Sequence, residues 1–272
     1  MKSAFKRLVP PAVQGSVRET YLALRRLPQW GGAYFHPWRR ESMSRLGALR
    51  GSRKGQRAFI VGNGPSLRSM DLSLLRNDFT FGLNRIYLAF PSLGFETTCL
   101  VAVNDLVVEQ CIREMQALAI PRFFSWRSRR FVPVGTHGSQ LPTFLHTTYE
   151  SPGFAMDARG RLWEGATVTY VALQLAFHMG FQQVILIGVD HRFTTQGTAN
   201  MTIVSDGDDP NHFSPGYFGK GFRWQLPDLQ TSEAAYTMAR NAFVRSGREV
   251  LDATVGGRLT IFPKVDFGSL FK

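Results

Sequence analysis

Cysteine is scarce in this chain. Cys99 and Cys111 are the two among 272 residues, and they follow no metal-ligand spacing. That leaves no basis for a disulfide framework or a zinc site. Cys99 opens an apolar run, so a buried free thiol in a reducing compartment is expected. No apolar stretch reaches the roughly 18 residues that a membrane-spanning helix needs. The N-terminus lacks the apolar core and small-residue cleavage site of a secretory signal. Gly-x-Ser-x-Gly and a reactive-cysteine context are missing as well, which removes two common forms of nucleophilic catalysis. Acid is scarce at one end. Residues 1–57 hold 2 of the 20 Asp/Glu but 13 of the 32 Lys/Arg. The remainder holds 19 basic and 18 acidic residues, so the net charge of +12 belongs almost wholly to an N-terminal arm.

That arm, residues 1–56, also carries Tyr21, Leu22, Leu24, Leu27, Trp30, Tyr34, Phe35 and Trp38. Basic residues interleaved with aromatics suit an anionic membrane surface. They would also suit nucleic acid, but the body shows no nucleic-acid module and no such partner is expected. The arm has helix candidates at 15–27 and near 40–49, and Gly51–Gly55 reads as a linker.

From residue 57 strand and helix signals alternate. Strand candidates are 57–62, 79–83, 99–104, 122–126, 184–189 and 249–253. Helix candidates are 65–75, 105–117, 166–179 and 231–246. Apolar strand runs with intervening helices predict an α/β, Rossmann-like, mostly parallel sheet covered on both faces. Two stretches break the alternation, 127–164 and 191–230. The second, following the fifth strand, is read as a lid loop over a binding site.

Phe59-Ile60-Val61-Gly62-Asn63-Gly64-Pro65-Ser66-Leu67 carries the most information. An apolar run stops at Gly-Asn-Gly, and Pro65 opens a helix. Gly62 and Gly64 allow close approach of a ligand, and a helix start offers free N–H groups. The pattern is neither G-x-G-x-x-G, since position 67 is Leu, nor a Walker A loop. Its chemistry is that of a phosphate or carboxylate site, against an ordinary strand-to-helix turn.

Ligands of open α/β sheets bind beyond the carboxyl ends of the strands. Asn63, Asn84, Asn104, Asp105 and Asp190 collect at those predicted ends, next to His191. Gly165-Ala166-Thr167, at the start of the clearest helix, offers a second anion site or simple capping. Asp206, Asp208 and Asp209 have the oxygen donors that Mg²⁺ takes, or form a solvated acidic turn. His212 is followed by Tyr217, Lys220 and Arg223 in a glycine-rich loop. An imidazole poised near neutral pH suits a general base, and the cations and phenol suit a departing phosphate. The alternative is a structural loop with buried aromatics.

Ile60–Leu67, Asp71, Asn77-Asp78-Phe79 and Asn84-Arg85-Ile86-Tyr87-Leu88 resemble the opening of the bacterial sialyltransferases that extend lipo-oligosaccharide. Gly165–Tyr170, Met179-Gly180-Phe181 and Leu186–Asp190 resemble their second block. The pattern is shared with a broader family named after the archaeal 6-hydroxymethylpterin pyrophosphokinase, the MptE-like proteins. The motility-accessory flagellin glycosyltransferases carry a related domain. The resemblance covers about 57–265. It implies that Asn63, Ser66 and Asn84 face a donor nucleotide and that Gly165–Thr167 holds a cytidine monophosphate part. It implies a catalytic His in the loop after the fifth strand, at His212 or at the position of Lys220.

The expectation is therefore a basic arm at 1–56 and a Rossmann-like nucleotide-binding transferase domain at 57–272. The function expected first is an inverting glycosyltransferase using a CMP-activated acidic sugar and a glycan or lipid-linked acceptor. It would sit in the cytoplasm, peripheral to the inner face of the membrane. This reading names no cofactor firmly and leaves Mg²⁺ open. The alternatives are a diphosphokinase using ATP and Mg²⁺ on a pterin-like alcohol, with the three Asp as metal ligands, and a non-catalytic nucleotide-binding protein of surface-polysaccharide assembly.

Overall fold

A computed structural model describes residues 31–150, 153–194 and 197–272. The expected helix at 15–27 lies outside them. In chain order the elements are α1 (Pro37–Leu49), β1 (Arg57–Val61), β2 (Phe79–Leu83), α2 (Phe90–Leu93) and β3 (Cys99–Ala102). Next come α3 (Asp105–Ala117), β4 (Arg122–Ser125), β5 (Thr143–Thr148), β6 (Arg161–Trp163), α4 (Val168–Met179) and β7 (Gln183–Ile187). The chain ends with β8 (Thr202–Val204), β9 (Arg223–Gln225), α5 (Leu229–Arg245) and β10 (Glu249–Asp252).

Eight strands form one sheet in the order β10-β7-β1-β2-β3-β4-β5-β6, and every pairing is parallel. The apolar strand runs serve two cores at once, because successive side chains point to opposite faces. Ala58, Ile60, Val184 and Leu186 join the core under α4 and α5. Phe59, Val61, Ile185 and Ile187 join the other, with Val107, Cys111 and Met115 of α3. Both cysteines are buried and free. Helix α4 is buried from Thr169 to Met179, capped by Thr167 and closed by Gly180 at φ +92°. Gly180 is there because a Cβ pays a steric cost in that left-handed conformation.

Three local expectations are corrected. The helix expected over 65–75 is two short 3-10 turns, Pro65–Ser69 and Leu72–Leu75, because Met70 is extended and Asp71 accepts from Ser73 N to start a second turn. The stretch 127–164 contains β5 and β6. Thr143, His146, Thr147 and Thr148 lack an apolar signature, yet all of β5 is buried between β4 and β6. The stretch 191–230 contains an antiparallel pair, β8 with β9.

Helix α1 falls before the boundary expected at residue 56, yet it packs on β5 with Arg39, Ser42 and Leu46 buried. Ser42 accepts the Phe144 N–H at 2.9 Å, and the carbonyl of Leu46 meets His178 Nε2 at 2.7 Å. The linker Gly51–Gly55 is a run of turns between α1 and β1.

Candidate functional site

The sheet order reverses between β1 and β7. Strands β1 to β6 progress toward one edge, and the chain then returns to the other side of β1 for β7 and β10. That reversal opens a crevice beyond the carboxyl ends of β1 and β7, where ligands of doubly wound sheets bind. The crevice holds two adjoining cavities of about 160 and 200 Å³. The first lies at the switch point, lined by Gly62–Gly64, Gly188–Phe193 and the start of α4. The second lies toward β3 and β6, lined by Asn84, Asn104, Tyr149, Glu164, Trp224 and Gln225, among others. Ala166–Val168, Phe193, His212 and Pro227 belong to both walls.

Backbone strain concentrates here. The non-glycine residues with positive φ among the described residues are Asn84 (+48°), Ala166 (+58°), His191 (+53°) and Asn200 (+64°). All four line one cavity or the other. For L residues this conformation costs about 1–2 kcal/mol, and such residues cluster at functional sites.

The glycine turn does something other than expected. The Gly62 N–H donates to Ile187 O at 2.8 Å and the Gly64 N–H to Gly188 O at 2.9 Å. The Ser66 N–H and hydroxyl both donate to the Asp190 carboxylate, at 3.2 and 2.7 Å. A Cβ on Gly64 would lie 1.8 Å from Asp190 Oδ2. The close approach that the glycines permit is therefore made by the protein's own β7, and Asp190 fills the anion position that sequence assigns to a ligand. Asn63 stays at the cleft. Its Nδ2 donates to Leu83 O at 3.0 Å, while Oδ1 is buried with no hydrogen-bond partner among the described residues. Asn84 Oδ1 is in the same condition in the second cavity.

Asn104 caps α3 through Leu106 N and donates to Gln225 Oε1 at 3.1 Å. Asp105 turns away from the cleft, accepting from Ser128 at 2.7 Å and Arg130 at 3.2 Å. Gly165, at φ +51°, has no room for a Cβ, which would sit 2.5 Å from Ala235. Thr167 caps α4 and its hydroxyl reaches Tyr236 Oη at 3.3 Å. With Val168 and Thr169 it brings the start of a twelve-residue helix to the first cavity, where the helix dipole favours an anion, although the Thr167 and Thr169 N–H groups already donate to Glu164 O and Thr167 Oγ1. Arg192, which the sequence reading did not single out, lines the same cavity.

His212 is held from three sides. Its Nδ1 meets Asp209 Oδ2 at 2.7 Å, its ring stacks on Tyr217 at 4.0 Å and 7°, and Phe218 packs edge-on at 4.8 Å. The backbone is pinned as well. Arg68 donates to the carbonyls of His212 and Phe213, and the Phe213 N–H donates to Asn63 O at 2.8 Å. Arg85 donates to the Tyr217 carbonyl. The segment read as a lid is thus fastened to the ends of β1 and β2.

Tyr217 is fully buried, its backbone and hydroxyl are tied to Arg85, and burial drives its phenol upward from the ordinary range. It supports the His212 ring rather than facing a cavity. Lys220 and Arg223 line neither cavity. Arg223 pairs with Glu109 at 2.9 Å on the outside of α3. Asp209, buried, is committed to His212 and to the Asn211 N–H. Among the described residues no three His, Cys, Asp or Glu side chains gather as a metal site, so Asp206, Asp208 and Asp209 do not form the expected trio. His191, beside Asp190 after β7, pairs with Glu233 at 2.9 Å. No helix among the described residues is long and apolar enough to cross a membrane.

The family model described as 6-hydroxymethylpterin diphosphokinase MptE-like matches residues 39–196, more than half the chain. The chain belongs to the MptE-like family. The match begins inside α1, which agrees with the packing of that helix on β5, and ends just beyond β7. A solved structure, MAf glycosyltransferase from Magnetospirillum magneticum AMB-1, is similar with a TM-score of 0.45 at 14% identity, over 96% of this chain and 43% of that one. The present chain thus spans less than half the length of that protein. No curated protein matches the sequence.

Proposed function

We propose that this MptE-like protein is an inverting glycosyltransferase that moves an acidic sugar from a CMP-activated donor to a glycan or lipid-linked hydroxyl. The observation that carries the reading is the position of His212, on the shared wall of two cavities with Nδ1 engaged by Asp209. A carboxylate on Nδ1 keeps the proton there and leaves Nε2 as the nitrogen able to accept one. In the proposal Nε2 takes the proton of the acceptor hydroxyl as its oxygen attacks the anomeric carbon, and the phosphate of the nucleotide departs.

The donor nucleotide is placed in the first cavity. Its phosphate is assigned to the start of α4 at Ala166–Thr169 and to Arg192, because Asp190 takes up the donors of the glycine turn. Asn63 Oδ1 supplies an acceptor for a base amino or ribose hydroxyl group. Lys220 and Arg223 have no part in this version. The basic residues before α1 would hold the enzyme near an anionic membrane carrying the acceptor.

A diphosphokinase is the second reading, supported by the family's description. It requires Mg²⁺ to neutralise phosphoryl charge. A non-catalytic nucleotide-binding role is the third.

Thermal stability against CMP, CDP, UDP, GDP and ATP, each with Mg²⁺ or with chelator, separates them. A ligand at 100 times its dissociation constant adds about 2.7 kcal/mol. Stabilisation by CMP without metal supports the transferase. Stabilisation by ATP with Mg²⁺ alone supports the kinase and sinks the first reading. His212→Ala should abolish transfer and keep the CMP shift; full activity in that variant removes His212 as the base.

A further inference from the structure

The two cavities differ in the charge they accept. The start of α4 borders both, but Arg192 stands in the wall of the first alone. Among the described residues the second has no lysine or arginine, and it has one carboxylate, Glu164, 3% exposed. The nearest cation is already committed. Arg127 donates to Glu164 Oε1 at 2.6 Å and to Thr147, and stands 3.7 Å from Asp105. An anionic ligand would meet Glu164 with no free cation to offset it. Burial raises the Glu164 carboxyl above the ordinary range, against the pull of Arg127.

One buried polar atom of the second cavity has no hydrogen-bond partner among the described residues, and it is an acceptor. Asn84 Oδ1 is buried and unpaired. An unpaired buried acceptor costs about 1–3 kcal/mol until a ligand supplies a donor. Asn104 has both ends of its amide engaged, by the start of α3 and by Gln225.

The cavity mouth also has a flat aromatic surface. Tyr149 lies at the end of β5 and is 62% exposed, which is unusual for a ring of that size. The Arg127 guanidinium lies over one face of it, 4.2 Å from the centroid. Arg127 is itself fixed by Glu164, so the ring is held in place by a cation on one face while most of the residue stays exposed. Trp224 adds apolar wall.

We infer that the second cavity is a subsite for an uncharged pyranose, stacked on the exposed ring of Tyr149 with a ring hydroxyl donating to Asn84 Oδ1. This rests on the transferase reading of the same cleft and names its acceptor as a neutral sugar. An aromatic face packs against the C–H side of a pyranose, and the hydroxyl rim supplies a donor for Asn84 Oδ1. His212, shared by both walls, then faces the acceptor hydroxyl from the boundary between them.

The test is saturation-transfer NMR on the full chain with methyl β-galactopyranoside, methyl α-mannopyranoside and methyl glucuronide, with CMP binding measured on the same samples. Saturation transfer to a neutral glycoside is expected, with none to the glucuronide. Tyr149→Ala should weaken the neutral glycoside about fivefold to tenfold, the size of a lost aromatic contact. Tyr149→Phe should retain binding, because the face and not the hydroxyl is used. Tyr149 is exposed, so neither variant threatens the fold. Transfer to the glucuronide alone, no transfer to either neutral glycoside, or equal transfer in wild type and Tyr149→Ala overturns the inference. Loss of the sugar signal with CMP binding intact defeats this inference alone. Sugar binding without any nucleotide shift defeats the transferase reading and leaves the sugar site.

Discussion

Asp209 Oδ2 lies 2.7 Å from His212 Nδ1, in a loop whose backbone is tied to β1 through Asn63. The carboxylate is almost fully buried, and its second oxygen accepts the Asn211 N–H at 2.9 Å. Neither group is free to turn. Replacing Asp209 by Asn presents an amide that can donate to Nδ1, which moves the imidazole proton to Nε2 and removes the base. Under the transferase reading Asp209→Asn should lower kcat by about 10²–10⁴, shift the acidic limb of the pH profile, and leave the CMP-induced melting shift in place. An unchanged kcat and pH profile would show that Asp209 only packs the loop.

The Ser66–Asp190 contact gives a second expectation. Asp190→Ala removes the anion that the Ser66 N–H and hydroxyl hold. It should cost about 1–2 kcal/mol in urea unfolding. Millimolar sulfate should then stabilise the variant more than wild type, because the vacated donors again suit an anion. Gly64→Ala meets the same carboxylate at 1.8 Å and Gly188 O at 2.9 Å. It should cost more, about 2–4 kcal/mol, because the obstacle includes backbone.

His178 ties α4 to the segment before β1. Its Nδ1 accepts the Ala158 N–H at 3.2 Å, so Nε2 donates to Leu46 O at 2.7 Å. Burial lowers its pKa, only partly opposed by Leu46 O and Asp157. A lowered folded pKa means that the unfolded chain takes the proton first as pH falls. The contribution of neutral His178 is therefore present above the unfolded value of about 6.5 and lost progressively below it. Asp157, held at about 2 chiefly by hydrogen bonds from Arg159, stays ionised across that window. Melting temperature should drop between pH 7.5 and 5, and His178→Gln should flatten the drop. A slope identical in the variant would refute the assignment.

Arg122 is buried, with no carboxylate partner among the described residues. Its Nη1 donates to the carbonyls of Met115, Gln116 and Leu118, and its Nη2 to those of Ser139 and Gln140. It gathers the end of α3, whose last carbonyls lack intrahelical donors, and the turn before β5. Burial lowers its pKa. Arg122→Leu should destabilise by about 3–5 kcal/mol, since several buried acceptors lose their donor together. Arg122→Lys should recover part of that. A loss below about 1 kcal/mol would mean that water replaces the guanidinium.

How much was legible differs from element to element. β1, β7 and α4 could be read because an apolar run between turn residues, or an unbroken apolar helix with Thr167 and Gly180 at its ends, has one stable placement. β5 could not, because Thr143, His146, Thr147 and Thr148 become apolar in effect only after β4 and β6 satisfy the backbone and Ser125 meets Thr147 at 2.9 Å. Asn63, Asn84 and Thr167 were found at the strand and helix ends, and the structure keeps them at the cleft. Lys220 and Arg223 lie near His212 along the chain, but the β8–β9 pair carries Arg223 to the outer face of α3.

The sequence by itself determined the parallel α/β plan, the strands around the switch point and the polar residues at their ends, because those depend on local periodicity and turn chemistry. Only the tertiary structure decided what those polar groups face. Asp190 and Ser66 are 124 positions apart and satisfy each other. Asp209, which reads as a cation ligand in sequence, is spent on an imidazole. Tyr149 and Arg127, more than twenty residues apart, stack at the second cavity. Pairing at such separations is set by which groups folding leaves unsatisfied, and no local pattern records that.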